Sequence, residues 1–284
     1  MTDVKDAALA SGTLHVESTG NTGGRLVLCV HGLSANCRSF DRIVPVLSEA
    51  GCCVVAMDLR GRGHSAPTSP GSYGWPAHAR DLLEIADLYQ ADSFDVVGHS
   101  MGGYIGMELA ARYPDRCGRL VVLDAAGIPP ARALLSIGRS LRRLGRTYSN
   151  EQEALAYVRE AGTVDWSDFW ANYFTWELAL SSGMVHIRTD ASAIAEDAAW
   201  ATPGRISAVW PRINCPVLLV RATRPMATGG VVVTQSGASR FANAVPSATV
   251  VGVRADHYSI LTDETAIDAV RRHLTTERPK PERR

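Results

Sequence analysis

Short apolar segments alternate with amphipathic segments along most of this chain, and the alternation limits the folds it can adopt. The predicted strands are 26–30, 53–58, 94–98, 120–124, 217–222 and 248–253. The predicted helices 38–49, 75–90 and 100–112 lie between these strands, and the predicted helix 265–275 follows the last one. Strands separated by helices form βαβ units, which build a mostly parallel sheet with helices on both faces. The sequence therefore predicts the α/β class, with segment 13–17 as an antiparallel edge strand.

The alternation stops between about residues 128 and 211, where the sequence becomes helical in pattern and rich in aromatic residues. Pro129 and Pro130 begin this segment, and Pro211 ends it. A segment of this kind between two strands predicts a helical cap inserted into the sheet domain. The predicted organisation is core at 1–127, cap at 128–211, core again at 212–277 and a flexible tail at 278–284.

Composition and charge exclude several functional classes. The chain has 284 residues, of which 46% are apolar, and this suits one sizeable core. Its 29 basic and 29 acidic residues balance, so no overall field attracts nucleic acid or an anionic membrane. No apolar stretch reaches the roughly 18 residues of a membrane span, and no signal peptide is visible, so we expect a cytoplasmic protein with reduced cysteines. No Cys or His spacing indicates a metal, and the oligomeric state stays open, with a homodimer among the options.

The segment Gly98-His99-Ser100-Met101-Gly102 matches the G-x-S-x-G pattern and joins a predicted strand to a predicted helix. A sharp strand-to-helix turn places one serine hydroxyl alone at the edge of a sheet, and glycine on either side permits the close packing. The helix N-terminus behind the serine favours negative charge there. The alternative is a serine that only caps a helix. The context favours Ser100 as a nucleophile.

Three further segments accompany this motif: 30–33 (Val-His-Gly-Leu), 58–65 (Asp-Leu-Arg-Gly-Arg-Gly-His-Ser) and 255–258 (Ala-Asp-His-Tyr). Together with the serine motif they make the chain resemble the α/β-hydrolase superfamily over nearly its whole length. The resemblance implies an α/β-hydrolase fold, a Ser–acid–His triad and an oxyanion hole formed by two backbone amides. By position those amides belong to Leu33 and Met101. Segment 58–65 is expected to be structural.

A serine hydroxyl needs a base to accept its proton, and histidine is the usual one. Among the eight histidines, His257 follows the last predicted strand and precedes the final helix, which is the family's position for the base. His31 and His99 belong to turn motifs, so we expect positional roles for them. A solvated or core role is expected for the others, which are His15, His64, His78, His186 and His273.

The acid that orients the histidine is missing from its usual place. In the family it follows the strand after the cap, but the loop 223–229 contains no carboxylate, and no Asp or Glu lies between Asp197 and Asp256. Asp124 ends the strand before the cap, on the edge of the sheet that carries the serine turn. Certain lactonases, acetamidomethylene-succinate hydrolases and cofactor-free ring-cleaving dioxygenases are similar in this respect. Asp124 is therefore the predicted acid, with Asp256 as its rival and a helix-capping role as the alternative.

Aromatic residues are dense in the predicted cap. Four of them are predicted to line a substrate pocket over the serine: Trp166, Trp170, Tyr173 and Trp176. Their spacing also suits one face of a helix packed into the core of the cap. A second stripe at helical spacing consists of Arg139, Arg142, Arg143 and Arg146. We interpret this stripe as a solvated face, and the alternative is recognition of a carboxylate on the substrate.

These residues favour a cofactor-free enzyme that acts on a small molecule. The leading prediction is hydrolysis of a carboxylic ester or lactone of a largely apolar molecule, through an acyl-enzyme at Ser100. One alternative is hydrolysis of an amide or C–C bond by the same residues. A second is oxygenase or lyase chemistry with His257 and Asp124 as the base, and a third is a receptor that only binds its ligand. One fold hosts many chemistries, so the fold does not name the substrate.

Overall fold

The computed structural model of the chain describes residues 2–227 and 229–276, and the predicted tail at 278–284 lies outside them. Its strands, in chain order, are β1 (Thr2–Leu9), β2 (Gly12–Gly20), β3 (Leu26–Val30), β4 (Cys53–Met57), β5 (Phe94–His99), β6 (Cys117–Leu123), β7 (Thr147–Tyr148), β8 (Leu178–Ser181), β9 (Met184–Ile187), β10 (Val217–Ala222) and β11 (Ala248–Val253). Its α-helices are α1 (Val44–Glu49), α2 (Trp75–Leu88), α3 (Met101–Arg112), α4 (Ala131–Ser140), α5 (Glu151–Glu160), α6 (Asp168–Trp176), α7 (Ala191–Ala198), α8 (Pro203–Ala208), α9 (Gln235–Ala244) and α10 (Glu264–Thr275). Among the helices in the described residues, none combines the length and the apolar composition that a membrane span requires.

Eight strands form one central sheet in the order β1-β2-β4-β3-β5-β6-β10-β11. From β4 to β11 all neighbouring strands are parallel, whereas β2 runs antiparallel to both β1 and β4. This order confirms the predicted α/β class with a mostly parallel sheet. Parallel pairing brings the carboxyl ends of β3, β5, β6 and β10 to one edge, where ligands of such sheets bind.

Both faces of the sheet are covered, which explains the continuous apolar character of its central strands. Every residue of β3 and β4 is buried. Successive side chains of a strand point to opposite faces. Leu28 and Val30 share one core layer with Leu82 of α2 and Ile105 of α3, while Val27 belongs to the layer on the other face. A strand buried on both sides has no polar positions, so its sequence is one apolar run.

Several predicted elements differ in the structure. Segment 13–17 belongs to β2, which is not an edge strand because β1 pairs with its outer side. Most of β1 is exposed, so no apolar run predicts it. The predicted helix 38–49 is broken into a 3₁₀ turn at Cys37–Phe40 and the short α1, where Pro45 lacks the amide that a continuous helix needs. The sequence pattern also misses α9, which is rich in small and polar residues.

The predicted cap is the segment between β6 and β10. It contains α4 to α8 and a small antiparallel sheet in the order β7-β9-β8, so the cap is not wholly helical. Strands β8 and β9 have four residues each and are partly exposed. The turn between them uses Ser182 and Gly183, whose φ angles are 53° and 76°. The apolar runs in these strands are at most three residues long, too short to predict a buried strand, which is why the pattern predicts only helices there.

A buried ion pair joins the cap to the core. Asp197 of α7 accepts hydrogen bonds from the Gly74 N–H at 2.7 Å and from His78 Nε2 at 3.0 Å, and it lies 2.6 Å from the Arg62 guanidinium. Both Arg62 and Asp197 are fully buried. Burial opposes ionisation of the carboxyl, but the hydrogen bond from His78 and the charge of Arg62 hold the pKa of Asp197 below its usual value. Each charge therefore depends on its partner for compensation.

Replacement of Asp197 by asparagine should leave the buried guanidinium without its counter-charge. We expect the free energy of unfolding to fall by about 3–5 kcal/mol, as is typical when one partner of a buried ion pair is removed. Urea unfolding followed by circular dichroism measures the change. The control Asp115→Asn, at an exposed position, should shift it by less than about 0.5 kcal/mol. A shift for Asp197→Asn no larger than that of the control would contradict the anchoring role of the pair.

Candidate active site

The turn between β5 and α3 presents Ser100 at the edge of the sheet. Its backbone has φ 53° and ψ −119°, a strained conformation of the kind that clusters at functional sites. A Cβ atom on Gly98 would lie 2.3 Å from the Gly102 carbonyl oxygen, and one on Gly102 would lie 1.9 Å from the Val30 oxygen. Only glycine therefore fits at either position. The Ser100 side chain makes no capping hydrogen bond to α3, so the helix-capping alternative does not describe it.

Ser100 contacts a histidine that is distant in the sequence. Its Oγ lies 3.1 Å from His257 Nε2, and His257 Nδ1 lies 2.9 Å from Asp124 Oδ2. Asp124 and His257 are buried, whereas Ser100 is partly accessible. In the tautomer that satisfies both contacts, the Nδ1–H donates to the carboxylate and Nε2 accepts from the hydroxyl. The three residues predicted as catalytic thus lie in one hydrogen-bonded chain.

Asp124 follows β6 and reaches across to the neighbouring strand β10. Its Oδ1 accepts a hydrogen bond from the Ala222 N–H at 3.0 Å, and its own backbone has φ 51°. Ala222 is the last residue of β10. The loop after β10 contains no carboxylate of its own, but the last amide of β10 holds the carboxylate of Asp124 in place. The two oxygens of the Asp124 carboxylate contact the Ala222 amide and the His257 ring, and neither of these groups is a helix N–H. Asp124 therefore does not act as a helix cap.

The rival acid, Asp256, is engaged in a turn. Its Oδ1 accepts hydrogen bonds from the N–H groups of Tyr258 and Ser259 at 3.0 and 2.9 Å. These bonds hold the start of the 3₁₀ turn at Ser259–Leu261. The carboxylate that contacts the imidazole of His257 is that of Asp124.

His31 holds the turn after β3 beside Ser100. A Cβ on Gly32 would lie 3.7 Å from Ser100 Oγ, so this backbone is next to the hydroxyl. The His31 Nδ1–H donates to the Gly32 carbonyl at 2.8 Å, and its Nε2 accepts from the Leu59 N–H at 2.9 Å. Carbonyl and amide point in opposite directions across a trans peptide. The bond to Gly32 therefore directs the Leu33 N–H away from His31.

Leu33 and Met101 carry the two amides predicted to form an oxyanion hole. Met101 is the first residue of α3, and the first four N–H groups of a helix have no acceptor within it. The helix dipole also favours negative charge at this end. The Leu33 turn and the start of α3 both adjoin Ser100, which is the arrangement that suits a developing oxyanion.

His99 holds the backbone of His257. Its Nε2–H donates to the His257 carbonyl at 2.9 Å, and the two ring centroids are 4.7 Å apart. Burial lowers the pKa of His31 to about 4 and that of His99 well below its ordinary value. Both imidazoles are therefore neutral near pH 7 and add no charge beside the site. These contacts agree with the positional roles expected for His31 and His99.

A small cavity of about 50 Å³ lies over Ser100 and adjoins a larger one of about 420 Å³ beneath the cap. The two cavities share the lining residues Ser34, Ser140, Trp170, Tyr173 and Tyr258. Two of the four predicted pocket residues, Trp170 and Tyr173, are thus part of this cleft. The sequence pattern does not predict the other three shared lining residues, Ser34, Ser140 and Tyr258. The one sequence feature that points to any of them is that Tyr258 directly follows the predicted base.

The other two predicted pocket residues lie elsewhere. Trp176 Nε1 donates to Asp58 Oδ2 at 2.9 Å, and its ring lies 4.1 Å from that of His64. Trp166 stacks on Phe174 with ring centroids 6.0 Å apart. Neither tryptophan lines either cavity, so the prediction is wrong for both. Helix α6 begins after Trp166 and ends at Trp176, so helical spacing does not determine where these end residues point.

The predicted arginine stripe also divides. Arg143 is buried, because its Nε lies 2.9 Å from Glu177 Oε1 and its Nη2 donates to the Ser34 carbonyl at 2.6 Å. The interpretation as a solvated face is therefore wrong for Arg143, whose charge the Glu177 carboxylate compensates. The other three arginines of the stripe are exposed.

One cluster of potential metal ligands lies apart from the serine. Ligand atoms of His15, Glu17 and Cys37 all lie within 4.8 Å of one another. The guanidinium of Arg38 pairs with Glu17, and burial raises the pKa of the Cys37 thiol well above its usual value. A cation at this cluster would compete with Arg38 and would need a thiolate, so these residues fit a metal poorly.

Residues 25–264 match the family model described as alpha/beta hydrolase fold. This match covers most of the chain, from just before β3 to the start of α10. The chain belongs to the α/β-hydrolase fold family. The resemblance inferred from the motifs is thereby confirmed.

Individual relatives support the same assignment. The "Serine hydrolase-like protein" of Danio rerio is 34% identical over 120 residues, which cover 42% of this chain and 36% of that protein. The crystal structure of E-2-(acetamidomethylene)succinate hydrolase is 21% identical, covers 97% of this chain and 100% of its own, and has a TM-score of 0.86. An α/β-hydrolase from Novosphingobium aromaticivorans DSM 12444 is 25% identical, with coverages of 96% and 98% and a TM-score of 0.78. The match to the Danio protein thus spans about a third of that relative's length.

The buried neutral imidazoles make the stability of this α/β-hydrolase depend on pH. Unfolded histidine takes up a proton near pH 6.5, whereas His31 does so only near pH 4. Between these values the unfolded chain binds more protons, so the free energy of unfolding falls as the pH falls. Each such histidine contributes a loss of up to about 1.4 kcal/mol per pH unit.

Urea midpoints at pH 7, 6 and 5 measure this dependence. His99→Gln removes one of the two imidazoles but keeps an amide that can donate to the His257 carbonyl, so we expect a shallower decline with pH than in the wild type. Parallel declines in the two proteins would contradict the assignment of His99 as a buried neutral imidazole.

Proposed function

We propose that this α/β-hydrolase cleaves a carboxylic ester or lactone of a small molecule, with Ser100 as nucleophile, His257 as base and Asp124 as the acid that orients it. The observation that carries the proposal is the continuous hydrogen-bonded chain from Ser100 Oγ through His257 to Asp124. A hydroxyl becomes an effective nucleophile when a correctly oriented base accepts its proton. The partly accessible Ser100 in a cleft with aromatic walls suits a small substrate.

The first half of the reaction forms an acyl-enzyme. Ser100 Oγ attacks the carbonyl carbon while its proton passes to His257 Nε2, and the carbonyl oxygen becomes an oxyanion that the Leu33 and Met101 amides stabilise. Asp124 stabilises the imidazolium that results. The tetrahedral intermediate then collapses, the bond from carbon to the leaving alkoxide breaks, and His257 returns the proton to that oxygen.

The second half releases the acid. Water loses a proton to His257 Nε2 and attacks the acyl carbon of the ester on Ser100. Collapse of this second intermediate breaks the bond to Ser100 Oγ, which takes the proton back from the imidazole. In a lactone the leaving oxygen stays attached to the same molecule, so the product is a hydroxy acid.

The contact between Ser100 and His257 favours this mechanism over direct use of His257 on the substrate. In the oxygenase or lyase alternative, the base must remove a proton from the substrate itself. Here His257 Nε2 already faces Ser100 Oγ at 3.1 Å, so the hydroxyl lies between the base and any ligand bound over the serine.

A fluorophosphonate probe tests the nucleophile. We expect it to label folded protein at Ser100, as located by peptide mass spectrometry, and to leave Ser100→Ala unlabelled. Turnover of p-nitrophenyl esters should fall by about 10⁶-fold in Ser100→Ala, because the covalent path is lost. Absence of labelling in folded wild type, or full esterase activity in Ser100→Ala, would end the proposal.

Paired asparagine substitutions test the acid. Asp124→Asn should lower kcat by about 10³–10⁴-fold, because the amide can no longer hold the imidazole in the required tautomer. Asp256→Asn is the matched control, since it changes the adjacent carboxylate that the turn employs, and its kcat should stay within a few-fold of wild type. The opposite ranking of the two variants would transfer the role to Asp256.

A further inference from the structure

The cleft over Ser100 continues into space that the proposed ester group does not fill. The cavity of about 50 Å³ at Ser100 holds little more than a reacting group, whereas the adjoining cavity measures about 420 Å³. A volume of several hundred cubic ångströms is typical of a small-molecule site. The remainder of a substrate anchored at Ser100 would therefore lie in the larger cavity beneath the cap.

The charges that line this larger cavity are unequal. Arg139, Arg142 and Arg143 line it together with one carboxylate, that of Glu160. The charge of Arg143 is compensated by Glu177. Among the residues that the structure describes, the guanidinium groups of Arg139 and Arg142 form no ion pair and no hydrogen bond within the protein. The guanidinium groups of Arg139 and Arg142 and the carboxylate of Glu160 together give the lining of the cavity one net positive charge.

Apolar side chains form part of the walls of the larger cavity. They favour a ligand in which an apolar chain or ring separates two polar ends. Trp170, Tyr173 and Phe174 contribute aromatic surface, and Val158 and Val164 contribute aliphatic surface. A guanidinium group binds a carboxylate through paired hydrogen bonds. One net positive charge matches a carboxylate, with its single negative charge, better than a phosphate monoester, which carries up to two.

We propose that the cavity beneath the cap binds a carboxylate at the far end of the substrate, with Arg139 and Arg142 as its partners. The substrate class is then an ester or lactone that carries a second, ionised carboxyl group separated from the reacting carbonyl by an apolar linker. This proposal rests on the proposed hydrolytic function, because it assumes that the reacting carbonyl lies at Ser100.

Two aryl esters that differ only in charge test the proposal. p-Nitrophenyl hydrogen adipate carries a terminal carboxylate, and its methyl ester is the same chain without the charge. We expect kcat/KM of the wild type, after subtraction of the uncatalysed rate, to be at least about tenfold higher for the charged ester, the effect of roughly 1.4 kcal/mol of charge-assisted binding. The double variant Arg139→Gln/Arg142→Gln should bring this ratio close to one, through a fall in kcat/KM for the charged ester.

Arg132→Gln is the matched control, because Arg132 is an exposed arginine on the same helix α4 that does not line the cavity. This variant should keep the wild-type preference. Equal kcat/KM values for the two esters in the wild type would overturn the proposal, and so would a preference that survives the double substitution. Continued cleavage of the methyl ester in those cases would leave the proposed function intact.

A binding measurement separates the two proposals if neither ester is cleaved. Monomethyl adipate and dimethyl adipate can be titrated into Ser100→Ala while tryptophan fluorescence is followed, since Trp170 lines the cavity. Tighter binding of the monoanion by about tenfold, lost in the arginine double variant, would support the carboxylate subsite. Equal affinities would overturn it, whatever the reaction catalysed at Ser100.

Discussion

Parallel pairing of β3, β5, β6 and β10 is the constraint on which the rest of the structure depends. Their carboxyl ends lie at one edge of the sheet, and adjacent strands are about 4.8 Å apart. Residues that follow different strands therefore meet although the chain separates them widely. Ser100 follows β5, Asp124 follows β6, and the backbone of Gly32 follows β3, while the last residue of β10 supplies the amide that holds the carboxylate. The strained conformation of Ser100 is accommodated because the glycines around it let the backbones of β3, of the serine turn and of α3 approach closely.

The groups around the hydroxyl are mostly held by neutral partners. His31 and His99 are buried, and each donates a hydrogen bond to a backbone carbonyl, that of Gly32 beside Ser100 and that of His257. Because burial keeps both imidazoles uncharged near pH 7, the carboxylate of Asp124 is the charge that directly contacts His257. A site of this kind stabilises a transient imidazolium without a competing positive charge nearby. The same burial makes the fold sensitive to acid, because these imidazoles bind protons more readily when unfolding exposes them to water than when they are buried.

The cap is tied to the core by charge as well as by apolar packing. Arg62 and Asp197 pair without exposure to solvent. Arg143 links Glu177 of the cap to the carbonyl of Ser34, which is adjacent to Leu33 in the chain. Buried ion pairs add little net stability but make their geometry hard to change, since each charge is costly without its partner. The position of the cap, and with it the wall formed by Trp170 and Tyr173, is thereby coupled to the backbone that would bind the oxyanion.

The sequence by itself determined the class of the sheet, the serine turn, and the candidates His257 and Asp124. These follow from local patterns: strand and helix periodicity, a glycine-flanked serine, and the absence of any carboxylate in the loop 223–229. Only the tertiary structure decided which side chains meet in the cleft. Helical spacing put Trp166 and Trp176 with Trp170, and it put Arg143 with exposed arginines, but spacing gives only a side chain's position on an isolated helix. Whether that position faces solvent, a cavity or a buried partner depends on elements distant in the chain, and for Trp176 and Arg143 those partners are Asp58 and Glu177.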